Sequence, residues 1–192
     1  HPPRVPDKFA MVLRKKHFTA GADQEKVAKK YENTFTEVMN HAEELWFAEL
    51  GWTDDDAKEF KRRADLMIEQ YNQFSPLDGV NVNGQLTLGE NIGDLGGLTI
   101  AYRAYLLSLG GKEAPVIDGF TGAQRFFLGW AQAWACKYRE AALRQRLMTD
   151  PHSPAIYRVL GVVANMPEFY EAFGVKAGDA LYQEEEKRVK IW

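Results

Sequence analysis

The sequence predicts a mainly α-helical fold, in which several long helices surround one core and at most one small β-hairpin is present. Apolar residues recur every three or four positions along most of the chain, which is the spacing of helices with one buried face. The 192 residues are 45% hydrophobic, enough for one substantial core but too few for several domains. We find no repeat, low-complexity tract or linker within residues 53–192.

The N-terminal part of the chain is predicted to change from irregular to helical. Residues 1–22 are expected to form an irregular lead-in, because three prolines occur within the first six positions and each also restricts its neighbour. Residues 23–192 are expected to form the single helical domain. Its first helix is predicted from Asp23 to about Leu50, where apolar side chains share one face. These side chains are Val27, Tyr31, Phe35, Val38, Ala42, Leu45 and Leu50.

A second helix is predicted from Thr53 to about Phe74. Thr53 offers a capping side chain, and the aspartates at 54–56 place negative charge in the first turn, where the helix dipole favours it. The turn-forming pair Asn83-Gly84 follows, and the residues between 80 and 82 could form one strand of a short hairpin. The expected apolar face of this helix comprises Ala57, Phe60, Ala64, Met67, Ile68 and Tyr71.

A third helix is predicted from about Leu88 to Leu109, ended by Gly110-Gly111. Inside it, Gly96-Gly97 is unfavourable for helix formation, so we expect another backbone or helix to approach closely there.

A long fourth helix is predicted from about Gly122 to Met148, with an aromatic stripe that is more typical of a core than of a ligand cage. The stripe and its apolar continuation comprise Phe126, Phe127, Trp130, Trp134, Tyr138, Leu143 and Leu147. After a proline-containing break at residues 150–154, Asn165 is expected to cap a short helix that has Pro167 in its first turn and ends at Phe173.

Charge and hydropathy exclude several classes of function. The formal net charge of −3 provides no field for binding nucleic acid or an anionic membrane. No run of about 18 apolar residues is present, and the first residues are not a signal peptide, so we expect no membrane segment and a soluble chain. The chain does not begin with Met, which is compatible with a processed product or a part of something longer.

The chain contains a single cysteine, Cys136. One cysteine excludes an internal disulfide and a cysteine-rich zinc site, and it leaves the redox compartment undecided. Because free cysteines are usually buried, we expect Cys136 to be an apolar thiol in the core.

Two pairs of polar residues are candidates for chemistry. Glu90 and Asp94 lie four residues apart near the start of the third helix, so both carboxylates project from one face. The spacing alone favours simple complementation of the helix dipole over metal binding. His152 and Arg158 lie on either side of a turn and could face an anionic group together, since arginine offers a forked donor and histidine can donate to developing charge.

Longer segments carry more specific information. The segments NVNGQLTLGENIGDLGGLTIAYRAY and TDPHSPAIYRVLGVVANMPEFYEAF, the terminal KRVKIW and the earlier WTDDDAKEFKRR occur in this order. Together they resemble the C-terminal catalytic region of the neprilysin family of gluzincin zinc metallopeptidases, which also includes endothelin-converting enzyme and bacterial members. The resemblance covers about Trp52 to Trp192. It implies a multi-helix C-terminal catalytic subdomain and Zn²⁺ as the cofactor.

The resemblance assigns a role to each candidate residue. Glu90 matches the third protein ligand of zinc, and Asp94 matches the aspartate that accepts a hydrogen bond from a ligating histidine. His152 matches the histidine that stabilises the oxyanion of the tetrahedral intermediate. Arg158 matches the arginine that binds the substrate backbone. A catalytic zinc has three protein ligands and one open position, where it activates water for attack on a peptide. The four matched residues would supply one of these ligands and the groups that act around the metal.

The sequence also departs from the family pattern. The family takes its first two zinc ligands and its general base from an H-E-x-x-H helix, and this string is absent, as is the family's N-A-x-Y strand. None of the histidines forms the required pair. They are His1, His17, His41 and His152.

Residues 1–50 therefore allow two interpretations. In one, Val38-Met39-Asn40-His41 corresponds to the residues that lead into the zinc helix, with Ala42 in place of the base and Leu45 in place of the second histidine. In the other, this segment is unrelated sequence or comes from a different part of the fold.

The sequence leaves three hypotheses for function. The first, which we favour, is a part of a peptide-hydrolysing zinc peptidase whose missing zinc helix comes from an upstream polypeptide; this chain alone would then be inactive. The second is a degenerate, non-catalytic module that binds a peptide. The third treats the four polar residues as a satisfied buried network. The single cysteine favours a bacterial member over the disulfide-rich animal ones, without deciding between a cytoplasmic and an extracytoplasmic location.

Overall fold

The structure, a computed structural model, describes residues 51–191. Within this range the chain forms six α-helices and one short 3-10 helix, with isolated β-bridges but no strand, so the predicted mainly α-helical class is confirmed. The predicted lead-in at 1–22 and the predicted helix at 23–50 lie outside the described residues. The helices are α1 (Asp54–Asn72), α2 (Gly84–Ser108), α3 (Gly122–Ala133), α4 (Glu140–Thr149), α5 (Ala155–Val163) and α6 (Pro167–Phe173), followed by the 3-10 helix Glu185–Lys187.

Helix α1 confirms the second predicted helix and ends two residues before the predicted end at Phe74. The three aspartates occupy its first turn, as the dipole argument requires. Its buried side chains, Ala64, Met67 and Tyr71, belong to the predicted apolar face and pack toward α2 and α5.

Helix α2 begins at Gly84, four residues earlier than predicted. The prediction treated Asn83-Gly84 as a turn, whereas Asn83 is the N-cap and its side-chain oxygen accepts a hydrogen bond from the Leu86 amide at 3.0 Å. The segment before it contains only an isolated bridge between Leu77 and Val80, not a hairpin of two strands. The helix ends at Ser108, and Gly110 follows with a φ of 59°, in agreement with the predicted end.

The glycines of α2 differ in what surrounds them. A Cβ added to Gly84 would overlap the backbone oxygen of Ile68 on α1 and lie 2.9 Å from its Cα, so the two backbones touch here. Gly96 is buried, but a Cβ on Gly97 would meet no described atom within 4 Å. Of the close approach that we predicted at Gly96-Gly97, none is present at Gly97 within residues 51–191, while Gly96 is buried.

Gly84→Ala should destabilise the chain by about 1–3 kcal/mol, because the backbone of Ile68 cannot rotate away as a side chain could. Gly89→Ala is the matched control on the same helix, since a Cβ there meets no described atom within 4 Å. Alanine is the better helix former by roughly 1 kcal/mol, so this control should be neutral or stabilising. Urea unfolding of both variants measures the difference, and equal midpoints would contradict the close contact at Gly84.

The predicted long helix from Gly122 to Met148 is wrong, because the chain forms two helices, α3 and α4, separated by residues 134–139. The chain leaves α3 at Trp134, whose ring lies under the guanidinium of Arg158 at 4.1 Å. The break in the continuous helical pattern thus coincides with a tertiary contact. Cys136 lies in this connection and is exposed, so the prediction of a buried thiol is also wrong.

Helices α5 and α6 complete the part of the core next to the C-terminus. Helix α5 was not predicted as a separate element. Pro167 starts α6 and Phe173 ends it, as predicted, but the N-cap is Met166. The side chain of Asn165 instead accepts a hydrogen bond from the Val189 amide at 2.7 Å and so holds the C-terminal segment against the core.

The described helices contribute side chains to one apolar core. Helices α1 and α5 both pack against α2, and α3 packs against α6. The largest fully buried side chains include Tyr71, Met67, Met166 and Val162. Within residues 51–191, no helix combines the length and hydropathy needed to cross a bilayer.

Candidate functional site

The structure brings the four candidate residues together from three segments of the chain. Helix α2 contributes Glu90 and Asp94 one turn apart, the connection after α4 contributes His152, and α5 contributes Arg158. Glu90 contacts both His152 and Arg158, and Arg158 also contacts Asp94. Spacing in the sequence predicted that the carboxylates share a face, but not that the histidine and the arginine would meet them.

Arg158 and Asp94 form a buried, two-point ion pair. Arg158 Nε donates to Asp94 Oδ2 at 2.6 Å and Nη2 donates to Oδ1 at 2.7 Å. The side chains are only 11% and 8% exposed, and the hydrogen bond to Asp94 raises the pKa of Arg158, against the effect of burial. The Trp134 ring covers one face of the guanidinium, while Asp94 binds its edge. The orientation of the arginine is therefore fixed by both contacts.

Tyr71 is a buried side chain close enough to this pair to feel both charges. Its side chain is fully buried, and its hydroxyl donates to the Tyr157 carbonyl oxygen at 3.3 Å. Burial raises the pKa of Tyr71, and the negative charge of Asp94 raises it further. The tyrosine therefore stays a neutral donor.

His152 and Glu90 form the more exposed half of the site. His152 Nε2 lies 3.1 Å from Glu90 Oε2, and the two side chains are 41% and 43% exposed. Arg158 Nη2 reaches the same Glu90 oxygen at 3.3 Å. Glu90 Oε1 accepts no hydrogen bond from the described residues, so this oxygen can still bind another group.

Asp150 holds the imidazole of His152 and was missed by the sequence analysis, which treated residues 150–154 only as a break between helices. Its Oδ1 lies 2.7 Å from His152 Nδ1 and accepts the His152 amide at 3.0 Å, while Oδ2 pairs with Arg146 at 2.6 Å. The spacing D-x-H within a turn was the available signal. Burial alone would raise the pKa of Asp150, but the hydrogen bonds from His152 and the charge of Arg146 outweigh it and lower the pKa.

Asp150→Asn should reduce stability by about 1 kcal/mol near neutral pH, because the depressed pKa means that ionised Asp150 favours the folded state. This contribution is fully present above the ordinary carboxyl pKa of about 4 and is lost as the pH falls through the lower pKa of the folded state. The difference in unfolding free energy between wild type and variant should therefore shrink from pH 6 toward pH 2. A difference that grows in acid would contradict the assignment.

The described residues do not form a complete zinc site by themselves. Within residues 51–191, no group of three His, Cys, Asp or Glu side chains is placed to hold a metal ion. Glu90 can offer one carboxylate oxygen, but both ring nitrogens of His152 already face carboxylates. A catalytic zinc needs about three protein ligands, so this cluster fits as a contributor of one ligand.

Comparisons with known proteins give a consistent result. The model of Peptidase family M13 matches residues 26–189, which includes half of the N-terminal segment that the sequence left open. Membrane metallo-endopeptidase-like 1 of Mus musculus is 44% identical over 146 residues, covering 73% of this chain and 19% of the relative. Neprilysin of Homo sapiens is 40% identical over 147 residues, covering 73% of this chain and 18% of the relative.

A solved structure matches as well. The zinc metalloprotease Zmp1 of Mycobacterium tuberculosis, in complex with an inhibitor, superposes with a TM-score of 0.72 at 54% identity. The match covers 73% of this chain and 22% of that one. The chain thus spans about a fifth of the length of the curated relatives that it matches.

Proposed function

Because the chain belongs to peptidase family M13, we propose that it is the C-terminal part of a zinc-dependent metallopeptidase that hydrolyses peptide bonds. One observation carries the proposal: His152 and Arg158, from two different segments, both contact the same carboxylate oxygen of Glu90, which lies on a third segment. A metal ligand, a donor for negative charge and a fixed cation are the groups that metal-assisted peptide hydrolysis requires around one carbonyl.

Glu90 is proposed as the zinc ligand. Its carboxylate is partly exposed, and its Oε1 accepts no hydrogen bond from the described residues, which leaves this oxygen available to a metal. Zinc, where bound, supplies Lewis-acid activation of water and of the peptide carbonyl. The residues described below act around that centre.

His152 is proposed to donate a hydrogen bond to the oxygen that becomes negative during attack on the carbonyl. Asp150 fixes the ring through Nδ1, which leaves Nε2 directed toward the space beside Glu90. A donor held in place before the reaction needs no reorganisation when the charge develops.

Arg158 is proposed to bind the backbone of the peptide substrate. Its Nε and Nη2 are taken by the carboxylates, but Nη1 donates to no described residue and can reach a carbonyl oxygen. Asp94 anchors the arginine. A carboxylate has about four acceptor positions, so Asp94 can also accept from a zinc-bound histidine, the role that the family resemblance implies.

The chain lacks H-E-x-x-H, so we propose that an upstream polypeptide supplies the other zinc ligands and the general base. The test compares the 192-residue chain with a polypeptide that joins it to an H-E-x-x-H segment of the family. Elemental analysis should find no stoichiometric zinc in the chain alone and about one zinc per joined polypeptide. Only the joined form should cleave a fluorogenic peptide. If it binds zinc but cleaves no peptide, the proposal fails.

A second candidate is a non-catalytic module that binds peptides, which the missing H-E-x-x-H favours. Fluorescence anisotropy of labelled peptides on the chain alone distinguishes it, since this candidate requires binding without zinc and loss of binding in Arg158→Ala. A bacterial origin is also proposed, on the 54% identity to the mycobacterial structure.

A further inference from the structure

A buried hydrogen bond joins the residues that directly follow the two exposed members of the site. Ser153 follows His152, Asn91 follows Glu90, and Ser153 Oγ donates to Asn91 Oδ1 at 2.8 Å across 62 positions of sequence. Ser153 is 2% exposed and Asn91 is 0% exposed, whereas the side chains of His152 and Glu90 are 41% and 43% exposed. The buried contact therefore lies one residue away, on each segment, from the more exposed contact between His152 and Glu90.

Asn91 is itself held in one orientation. Its Nδ2 donates to Thr87 Oγ1 at 3.0 Å, and Thr87 Oγ1 donates to the Asn83 carbonyl oxygen at 3.0 Å. Thr87 is 3% exposed, so the hydrogen bonds from Ser153 through Asn91 to Thr87 lie out of water. A hydrogen bond requires a particular distance and direction, and a satisfied buried row selects one arrangement where apolar contact would tolerate sliding.

The buried ion pair of Arg158 with Asp94 joins the following helix, α5, to α2, but few contacts join the segment of His152 itself to α2. Asp150 lies two residues from His152 and moves with it, and Arg146 belongs to the helix that leads into the same segment. The contact between His152 and Glu90 crosses to α2, but contacts between such exposed polar side chains contribute little. Among the hydrogen bonds described for residues 150–154, the bond from Ser153 to Asn91 is the buried one that reaches α2.

We propose that Asn91 and Ser153 are positioning residues, whose buried hydrogen bond places His152 beside Glu90. The catalytic meaning of this link rests on the proposed peptidase function. The position of His152 relative to Glu90 does not depend on that function, because their separation can be measured in the chain without zinc or substrate.

The experiment uses nuclear magnetic resonance of the ¹⁵N-labelled 192-residue chain at a fixed pH. Glu90→Gln removes the charge beside His152 Nε2, so it should shift the ring nitrogen resonances of His152 in the wild-type background. In a Ser153→Ala background, the same Glu90→Gln change should shift them by about half as much or less, since the two segments are no longer held together.

Thr99→Val is the matched control, because the Thr99 hydroxyl also makes one hydrogen bond, at 2.7 Å, but to the Leu95 carbonyl oxygen of its own helix. It should leave the Glu90→Gln shift unchanged. Thr87→Val is a second variant that retains the bond between Ser153 and Asn91 while removing the hydroxyl that orients Asn91, and it should give an intermediate shift. If Ser153→Ala does not fold, as judged by circular dichroism, Thr87→Val decides.

An undiminished Glu90→Gln shift in Ser153→Ala, or in Thr87→Val where that variant decides, overturns the proposal. In the joined, zinc-containing polypeptide, a positioning role further requires that Ser153→Ala lowers kcat while KM changes little. If the joined polypeptide cleaves no peptide at all, the peptidase proposal fails. The resonance experiment then still tests whether the bond between Ser153 and Asn91 positions His152.

Discussion

Arg158→Met should lower the free energy of unfolding by about 3–5 kcal/mol, because it leaves the carboxylate of Asp94 buried without its partner. Asp94 is 8% exposed and receives both strong hydrogen bonds from Arg158, at 2.6 and 2.7 Å. The change also removes the stack on Trp134. For a chain of this size, the loss corresponds to a fall in Tm of roughly 6–20 °C. Urea unfolding at neutral pH measures it directly.

Two further variants make this result specific. Arg144→Met removes the exposed ion pair with Glu140, whose side chains are 48% and 71% exposed, and should cost less than about 1 kcal/mol. The double change Asp94→Leu with Arg158→Met removes both charges and should recover much of the stability lost in Arg158→Met. If Arg158→Met were no more destabilising than Arg144→Met, the pair would not be buried in solution.

The elements that the sequence predicted well are those that local chemistry determines. The acidic first turn of α1, the glycines after α2 and Pro167 at the start of α6 act through neighbouring backbone, so their effect can be read without the rest of the fold. The start of α2 was misplaced because Asn83 is equally suited to a turn and to an N-cap. Packing of Gly84 against α1 decides between them.

Elements that depend on distant contacts could not be predicted in this way. The pattern from Gly122 to Met148 is continuous, and the break at Trp134 is associated with the arginine of another helix. Cys136 was expected in the core because free cysteines usually lie there, but the break places it in an exposed connection. The aromatic stripe correctly predicted helical segments here, but not the position at which the first helix ends.

The candidate site shows the same division. The spacing of Glu90 and Asp94 predicts a shared helical face, and the motifs around them suggested their roles through family resemblance. Asp150 and Ser153 were overlooked because a turn containing two prolines already explained their presence. Their partners are distant or depend on the fold: Ser153 bonds to α2, and Asp150 is completed by Arg146.

Glu90→Ala should abolish both zinc binding and peptide hydrolysis in the joined polypeptide that carries H-E-x-x-H. Loss of residues that merely orient zinc ligands typically costs 10–100-fold in metal affinity, so loss of a ligand should cost more than about 100-fold. Stability should change little, because Glu90 is 43% exposed and its ion pairs are partly solvated. Zinc content after dialysis and kcat/KM on a fluorogenic peptide measure the two effects.

Glu69→Ala is the control, since Glu69 is an exposed carboxylate on α1 outside the cluster. It should retain about one zinc per chain and full activity. Retained zinc in Glu90→Ala would mean that another residue completes the ligand set. Lost zinc together with retained hydrolysis would mean that hydrolysis does not require the metal. If Glu90 is the zinc ligand, Glu90→Ala should lose both zinc and hydrolysis, and Glu69→Ala should lose neither. Glu90 is the carboxylate that contacts both His152 and Arg158.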